Sequence, residues 1–251
     1  VDKVCGSAAE AVSAIVSGSS IAVGGFGLCG IPQVLIEALV TQGADRLNVV
    51  SNNCGVDEWG LGMLLSLRRI DRMTASYVGE NKEFERQFLM GELEVELNPQ
   101  GTLAERLRAG GAGIPAFFTP AGVGTPVADG GMPLRYAPNG SVSLESPAKE
   151  VRRFDGLDYV LEHSITTDFA LLRASLGDRH GNLVFAKSTH NFNSLVAAAG
   201  RTTIAEVEQL VEPGQIPPEH VHTPGIFVKH VIVLTPEQAA AKRIEKRMVS
   251  T

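Results

Sequence analysis

The chain has 251 residues, 44% of them hydrophobic and 20% charged, with 27 glycines and 13 prolines; this is the make-up of a globular protein that can bury most of its surface in one large domain or two small ones. A net charge of −6 with no basic stripe excludes nucleic acid as the expected partner. Three widely spaced cysteines, Cys5, Cys29 and Cys54, fit neither a disulfide framework nor a zinc site, and neither a membrane-length apolar run nor a secretory signal is visible, so a reducing, cytoplasmic setting is expected.

In chain order, residues 7–16 predict a small-residue helix. An apolar run follows at 20–23 and ends in Gly24-Gly25-Phe26-Gly27-Leu28-Cys29-Gly30-Ile31-Pro32, then the amphipathic stretch 33–40. That pattern predicts strand, glycine-rich turn, helix. Glycine takes positive φ and lets a ligand approach the backbone, while Pro32 suits the first helical turn. A turn so built aims free N–H groups and a helix N-terminus at one point, where a phosphate or an oxyanion can sit. Gly25, Gly27 and Gly30 also have the G-x-G-x-x-G spacing, but a dinucleotide site needs an acid about 20 residues on to hold the ribose. Ser51-Asn52-Asn53 stand there instead, which leaves NAD a disfavoured alternative.

Strands are predicted at 47–50, 72–78, 95–97 and 116–118, with helices at 60–67, 81–90 and 101–109. This is the rhythm of a parallel α/β sheet. From about residue 119 prolines and glycines crowd the chain. Strands at 134–136 and 141–143, joined through Asn139-Gly140, predict a hairpin. Short strands continue to 174, making a β-rich insertion of roughly 119–174. Strands then recur at 183–185, 202–207 and 227–233. Thr235-Pro236-Glu237 starts a last helix, whose dipole Lys242, Arg243, Lys246 and Arg247 would complement. No internal repeat is detected. The expected fold is α/β: one domain over 1–251, with an open, mainly parallel sheet flanked by helices and a smaller β-rich insertion in mid-chain.

Asn52 and Asn53 follow a strand, at the carboxyl edge where open sheets bind ligands. Their amides suit a carboxylate or carbonyl oxygen, with Asx-turn chemistry as the plain alternative. Glu80, also after a strand, invites a nucleophile reading, yet an acid before the helix at 81–90 is already explained by the dipole; a pocket-lining role remains. Glu92, Glu94 and Glu96 alternate as a charged face, expected to be exposed or turned to a subunit. His220 and His222 lack a third ligand, so no metal site is expected. Cys29 and Cys54 are expected to be small packing residues, and Asp57, Glu58 and Trp59 a lid or an interface.

The wording of the loops goes further than periodicity. G-G-F-G-L-C-G-I-P at 24–32 is followed by S-N-N-C-G-V-D at 51–57, S-Y-V-G-E-N at 76–81, G-E-L-E-V-E-L-N-P-Q-G-T-L-A-E-R at 91–106 and G-G-A-G-I-P-A-F-F-T-P at 110–120. Later come D-F-A-L-L-R-A at 168–174, G-N-L-V-F at 181–185 and N-F-N at 191–193. Over essentially its whole length the chain resembles the A (α) subunit of family I CoA transferases, and most of all the succinyl-CoA:3-ketoacid branch.

The resemblance implies two similar open α/β domains, A and B, on separate or fused chains. A glutamate of B attacks the acyl-CoA thioester, passes through an acyl-glutamyl anhydride to a glutamyl-CoA thioester, and yields CoA to a second carboxylate in a ping-pong cycle. No metal or permanently bound cofactor is required, CoA and acyl-CoA being substrates. A chain that matches only A carries no catalytic residue of its own and needs a B subunit, in a heterodimer or heterotetramer. Gly24, Gly25, Phe26, Gly27, Leu28, Cys29 and Gly30 match the family's CoA-binding segment, or shape the acyl pocket with Phe26 as a wall. Gln100 matches a pocket residue near the reacting glutamate, where a neutral amide can serve a developing oxyanion; facing solvent from a helix start is the plain alternative. With Asn52, Asn53 and Glu80 it makes up the expected pocket. Alternatives are a transferase for 3-oxoadipate or for acetate and butyrate, or a non-catalytic acyl-CoA-binding protein.

Overall fold

The computed structural model describes residues 1–243. The first half winds outward as α1 (Ala8–Val12), β1 (Ser20–Val23), α2 (Gln33–Gln42), β2 (Leu47–Val50), α3 (Gly62–Ser66), β3 (Ile70–Ala75), α4 (Lys82–Leu89), β4 (Glu94–Leu97) and α5 (Gln100–Gly111). A turn-rich section holds β5 (Ala116–Thr119), α6 (Pro126–Asp129), β6 (Pro133–Tyr136), β7 (Val142–Glu145), β8 (Val151–Phe154) and β9 (Leu157–His163). The chain then returns through β10 (Thr167–Asp178), β11 (Leu183–Val184), α7 (Asn191–Ala199), β12 (Gly200–Val211), β13 (Val228–Val233) and α8 (Pro236–Ala240).

The central sheet runs β13-β12-β10-β1-β2-β3-β4, with β11 added antiparallel to β10. The neighbours along that path pair in parallel. Strands buried on both faces need apolar side chains on both, and β10 and β12 supply them. Leu171 and Ile204 face α1–α4, whereas Ala170, Leu172, Ala205 and Val207 face α5 and α7. The order reverses between β1 and β10. Open sheets bind ligands at such a switch point, beyond the carboxyl ends of the strands, and the glycine-rich loop leaves β1 there.

Several expectations change in detail. The structure gives β5 an antiparallel partner, β9, in a sheet of order β5-β9-β8, and so takes it out of the parallel sheet; a strand's partner is not written in its own residues. The hairpin through Asn139-Gly140 is β6–β7, with Gly140 at φ 81°. Residues 167–174, grouped above with the short strands, lie in β10 between β1 and β12. Helix α2 starts at Gln33, so Pro32 is its N-cap position and not its first turn. Helix α8 ends before the basic cluster: Lys242 pairs with Glu208 (2.7 Å), and the Arg243 guanidinium lies over the Trp59 ring. Lys246 and Arg247 lie outside the described residues. No described helix is long and apolar enough to cross a membrane.

The expected exposed face of Glu92, Glu94 and Glu96 holds for Glu92, whereas Glu94 and Glu96 are half-buried among arginines. Glu92 sits before β4 and pairs with Arg86 (2.8 Å) and Arg68 (3.4 Å). Arg72 of β3 reaches both Glu94 (3.3 Å) and Glu96 (2.6 Å), and Arg106 closes on Glu96 from α5. Burial alone would raise the Glu96 pKa, but the two guanidiniums outweigh it and hold the carboxyl at about 2. A carboxyl depressed on folding adds stability above its unfolded pKa and loses it as pH falls through the folded value. Glu96→Gln should therefore cost up to about 3 kcal/mol near neutral pH, and the difference should shrink steadily towards ~pH 3. Urea unfolding of both proteins across that range checks it.

Candidate active site

The loop after β1 is a tight hairpin. Phe26 N–H donates to the Cys29 carbonyl (3.0 Å), and Cys29 N–H returns to Phe26 (2.9 Å). The loop after β2 repeats the device with Val56 and Trp59 (3.3 and 3.0 Å), a local repeat that the sequence does not announce. Side chains then fix the first hairpin from several directions. Asn53 Oδ1 accepts the Gly27 N–H (3.0 Å) while its Nδ2 donates to the Gly27 carbonyl (3.3 Å). From α7, Asn193 Nδ2 donates to the Gly30 carbonyl (3.0 Å) and Asn191 Nδ2 to the Cys29 carbonyl (3.2 Å).

Two glycines are required by this packing. A Cβ on Gly24 would lie 2.0 Å from Asn193 Oδ1, and one on Gly30, which sits at φ +69°, would lie 2.6 Å from Asn193 Nδ2. Neither position has room for a side chain without displacing the asparagine that holds the loop.

Asn52 is fully buried and Asn53 nearly so. Asn52 Nδ2 donates to Asn53 Oδ1 (3.2 Å), and Asn52 Oδ1 accepts from Ser76 Oγ (2.9 Å) and Gln100 Nε2 (3.0 Å). A chain of neutral amides thus runs Gln100–Asn52–Asn53–Gly27 across the carboxyl ends of β4, β2 and β1. Gln100 is itself exposed, so its second N–H is available to a ligand. Beside this relay lies a cleft of about 290 Å³ lined by Gly27, Leu28, Asn53, Tyr77, Gly79 and Glu80. Four of the expected site residues (Gly27, Leu28, Asn53 and Glu80) line it, and two more, Asn52 and Gln100, join Asn53 through the relay. Phe26 projects at 44% exposure, whereas Gly24 and Gly30 turn to Asn193.

One expectation fails on the donors. The start of α2 is not free to take a phosphate: Leu35 N–H donates to Glu206 Oε2 (3.0 Å), and the Val34 N–H also reaches that carboxylate. The N–H groups of Phe26, Gly27 and Cys29 are spent within the loop and on Asn53. Gly25 and Leu28, by contrast, donate to no acceptor among the described residues. Glu206 comes from a strand far along the chain, so the loop's own residues cannot reveal it.

Other candidates find structural places. Glu80 is exposed on the cleft wall, and Asn81, not Glu80, caps α4 by accepting from Phe84 N–H (2.9 Å). Asp57 accepts from Glu83 N–H at the same helix start (3.0 Å). Burial pushes the Cys54 thiol far up, as suits a packing residue. His222 accepts from Phe185 N–H (2.9 Å) and stacks on His190 at 4.4 Å, and no cluster of three or more metal-ligating side chains exists among the described residues. Sequence reasoning gave no site role to Ser76, Asn191, Asn193, Arg173 or Glu206. For the last two a signal was present, since a charge inside an apolar central strand demands a buried partner.

Residues 6–234 match the family described as Coenzyme A transferase. The chain belongs to that family. A Mycobacterium tuberculosis protein, named as the A subunit of a probable succinyl-CoA:3-ketoacid coenzyme A transferase, is 65% identical over 249 residues, 99% of each chain. The mouse mitochondrial succinyl-CoA:3-ketoacid coenzyme A transferase 2A is 50% identical over 223 residues, covering 89% of this chain but 43% of its own length. Among solved structures, an acyl-CoA transferase from Escherichia coli O157:H7, in a thioester complex with CoA, superposes with a TM-score of 0.77 at 24% identity, over 94% of this chain and 48% of that one. That likeness speaks for the fold, and the family's chemistry is the transfer of CoA.

Asn53 has the most direct hold on the loop tip. Asn53→Ala should speed hydrogen exchange of the Gly27 amide by about tenfold or more while amides in the middle of β10 and β12 keep their protection. Residue-resolved exchange with detection by NMR checks it.

Proposed function

We propose that this chain is the A subunit of a heteromeric CoA transferase that moves CoA from succinyl-CoA to a 3-oxoacid such as acetoacetate. In this reading residues 1–251 form one A-type unit with the β-rich section as its insertion, the protein works in the cytoplasm, and a B subunit completes the site. CoA and acyl-CoA are substrates, with no permanently held cofactor. The observation that carries the reading is the amide relay from Gln100 to Gly27 beside the cleft at the carboxyl edge of β1–β4: it supplies neutral donors for a carbonyl oxygen and contains no activated nucleophile. The names of the relatives supply the substrate pair.

The chemistry follows from those parts. A glutamate carboxylate of the partner attacks the thioester carbonyl, and the C–S bond breaks to give an acyl-glutamyl anhydride and CoA thiolate. The thiolate then attacks the glutamyl carbonyl and releases the first acid, leaving a glutamyl-CoA thioester. Running the two steps in reverse with the second carboxylate completes the cycle. One Gln100 N–H is held by Asn52, so the other is aimed; it can donate to the oxyanion that forms at each attack. A neutral amide stabilises that charge without clamping the anionic substrate in an ion pair. Gly25 and Leu28 N–H groups, with Phe26 beside them, would line the path of the acyl-CoA. Glu80 would line the pocket without bonding to substrate.

With succinyl-CoA and acetoacetate, this chain alone should be inactive, and its complex with a B subunit should be active. In that complex Gln100→Ala should lower kcat by about 100-fold with a smaller change in KM, whereas Glu80→Gln should stay within a few-fold of the parent. Steady-state kinetics and borohydride trapping of the glutamyl-CoA thioester test the assignment. Robust transfer by this chain alone, or label on Glu80, would overturn it.

A further inference from the structure

We propose that Glu206 is a positioning residue for the glycine-rich loop: from inside the sheet its side chain accepts from the first turn of α2, at the Leu35 N–H, and this internal cap sets where the loop ends and the helix begins. The inference rests on the reading of the loop as part of the CoA-transfer site.

The geometry is specific. Glu206 and Arg173 are direct neighbours in the register of β12 and β10, and Ile204 and Leu171, two residues before them on their strands, point at α1–α4. By the alternation of a strand, Glu206 and Arg173 face α2 as well. Glu206 has no exposed surface, and Arg173 is 4% exposed. One carboxylate oxygen, Oε2, accepts from Leu35 N–H at 3.0 Å. The other, Oε1, has no hydrogen bond and faces Arg173 at 3.6 Å. Arg173 spends its close contacts elsewhere, on Glu208 (2.9 Å) and the Ala239 carbonyl (2.9 Å). The hydrogen bonds of Glu206 therefore go to the helix start, and its ion pair with Arg173 is the looser contact.

This placement matters because Pro32, at the N-cap position, has no side-chain cap to offer, and a buried helix start must find acceptors somewhere. Asn53 pins the loop tip and Asn193 its end at Gly30; Glu206 pins the helix into which the loop runs. With the helix start satisfied from behind, the N–H groups of Gly25 and Leu28 are among the loop donors with no acceptor among the described residues. Isolated N–H groups of this kind suit a thioester or amide carbonyl of acyl-CoA better than a phosphate, which calls for a cluster of donors at a helix end.

Two variants separate a cap from a charge partner. Glu206→Gln keeps an acceptor of the same reach and removes the charge, whereas Glu206→Asp keeps the charge and draws the acceptor back by one methylene. In the full chain, Glu206→Gln should hold amide exchange over residues 25–36 within about threefold of the parent, and Glu206→Asp should speed it by about tenfold or more with the centre of the sheet unchanged. In the complex with the B subunit, Glu206→Asp should lower kcat by about 10- to 100-fold at a similar KM, and Glu206→Gln should restore it. Loss in the Gln variant with retention in the Asp variant would overturn the proposal in favour of a charge opposite Arg173. Equal loss in both, or exchange spread evenly over the sheet, would overturn it in favour of a general packing role. If the parent complex transfers no CoA, the functional reading fails, and the exchange comparison still decides the role of Glu206.

Discussion

A parallel strand that ends in a turn and a helix leaves donors in need of acceptors, and in this protein nearly everything about the site depends on how those donors are met. The start of α2 is buried against the sheet, so its first N–H groups would cost free energy if left unpaired. Glu206 meets them from β12. Burial in turn pushes the Glu206 carboxyl up to about 8, the effect being offset in part by Arg173 and by the N–H groups of Leu35 and Val34. Its hydrogen bond goes to the helix start, and its second oxygen faces the Arg173 guanidinium.

Outside the sheet the same need is met by neutral amides. Asn53, Asn191 and Asn193 hold the glycine-rich loop at three points, and Asn52 joins Asn53 to Ser76 and Gln100. Each amide can donate and accept at once, so a chain of them orients its last member with no net charge. Gln100 is that last member. Apart from Glu80 on the cleft wall, charged groups nearby are paired: Glu96 lies between Arg72 and Arg106, and Glu83 and Glu92 are paired with Arg86. The result is a wall of neutral donors held in place along one edge of the sheet.

The order of strands explains why these residues meet. Four successive loops, after β1, β2, β3 and β4, open at one edge of the sheet because their strands are parallel and adjacent. That brings together Gly27, Asn53, Ser76 and Gln100. The return of the chain through β10 on the far side of β1 adds Asn193 and Glu206, which no loop of the first half could supply.

Much of this was legible in the residues. Alternating apolar runs and amphipathic stretches determined the α/β class, Asn139-Gly140 determined its hairpin, and the glycine spacing with Asn52, Asn53, Glu80 and Gln100 marked the sheet edge where these residues gather; these are local properties, set by φ preferences, turn chemistry and side-chain periodicity. The tertiary structure decided the rest. It showed that the helix start is already capped, that Glu96 is held between arginines and not exposed, and that β5 pairs away from the central sheet. Each of these depends on a partner distant in sequence, 171 residues away for Leu35 and Glu206. Local pattern records what a residue needs, and only the packed fold determines which residue supplies it.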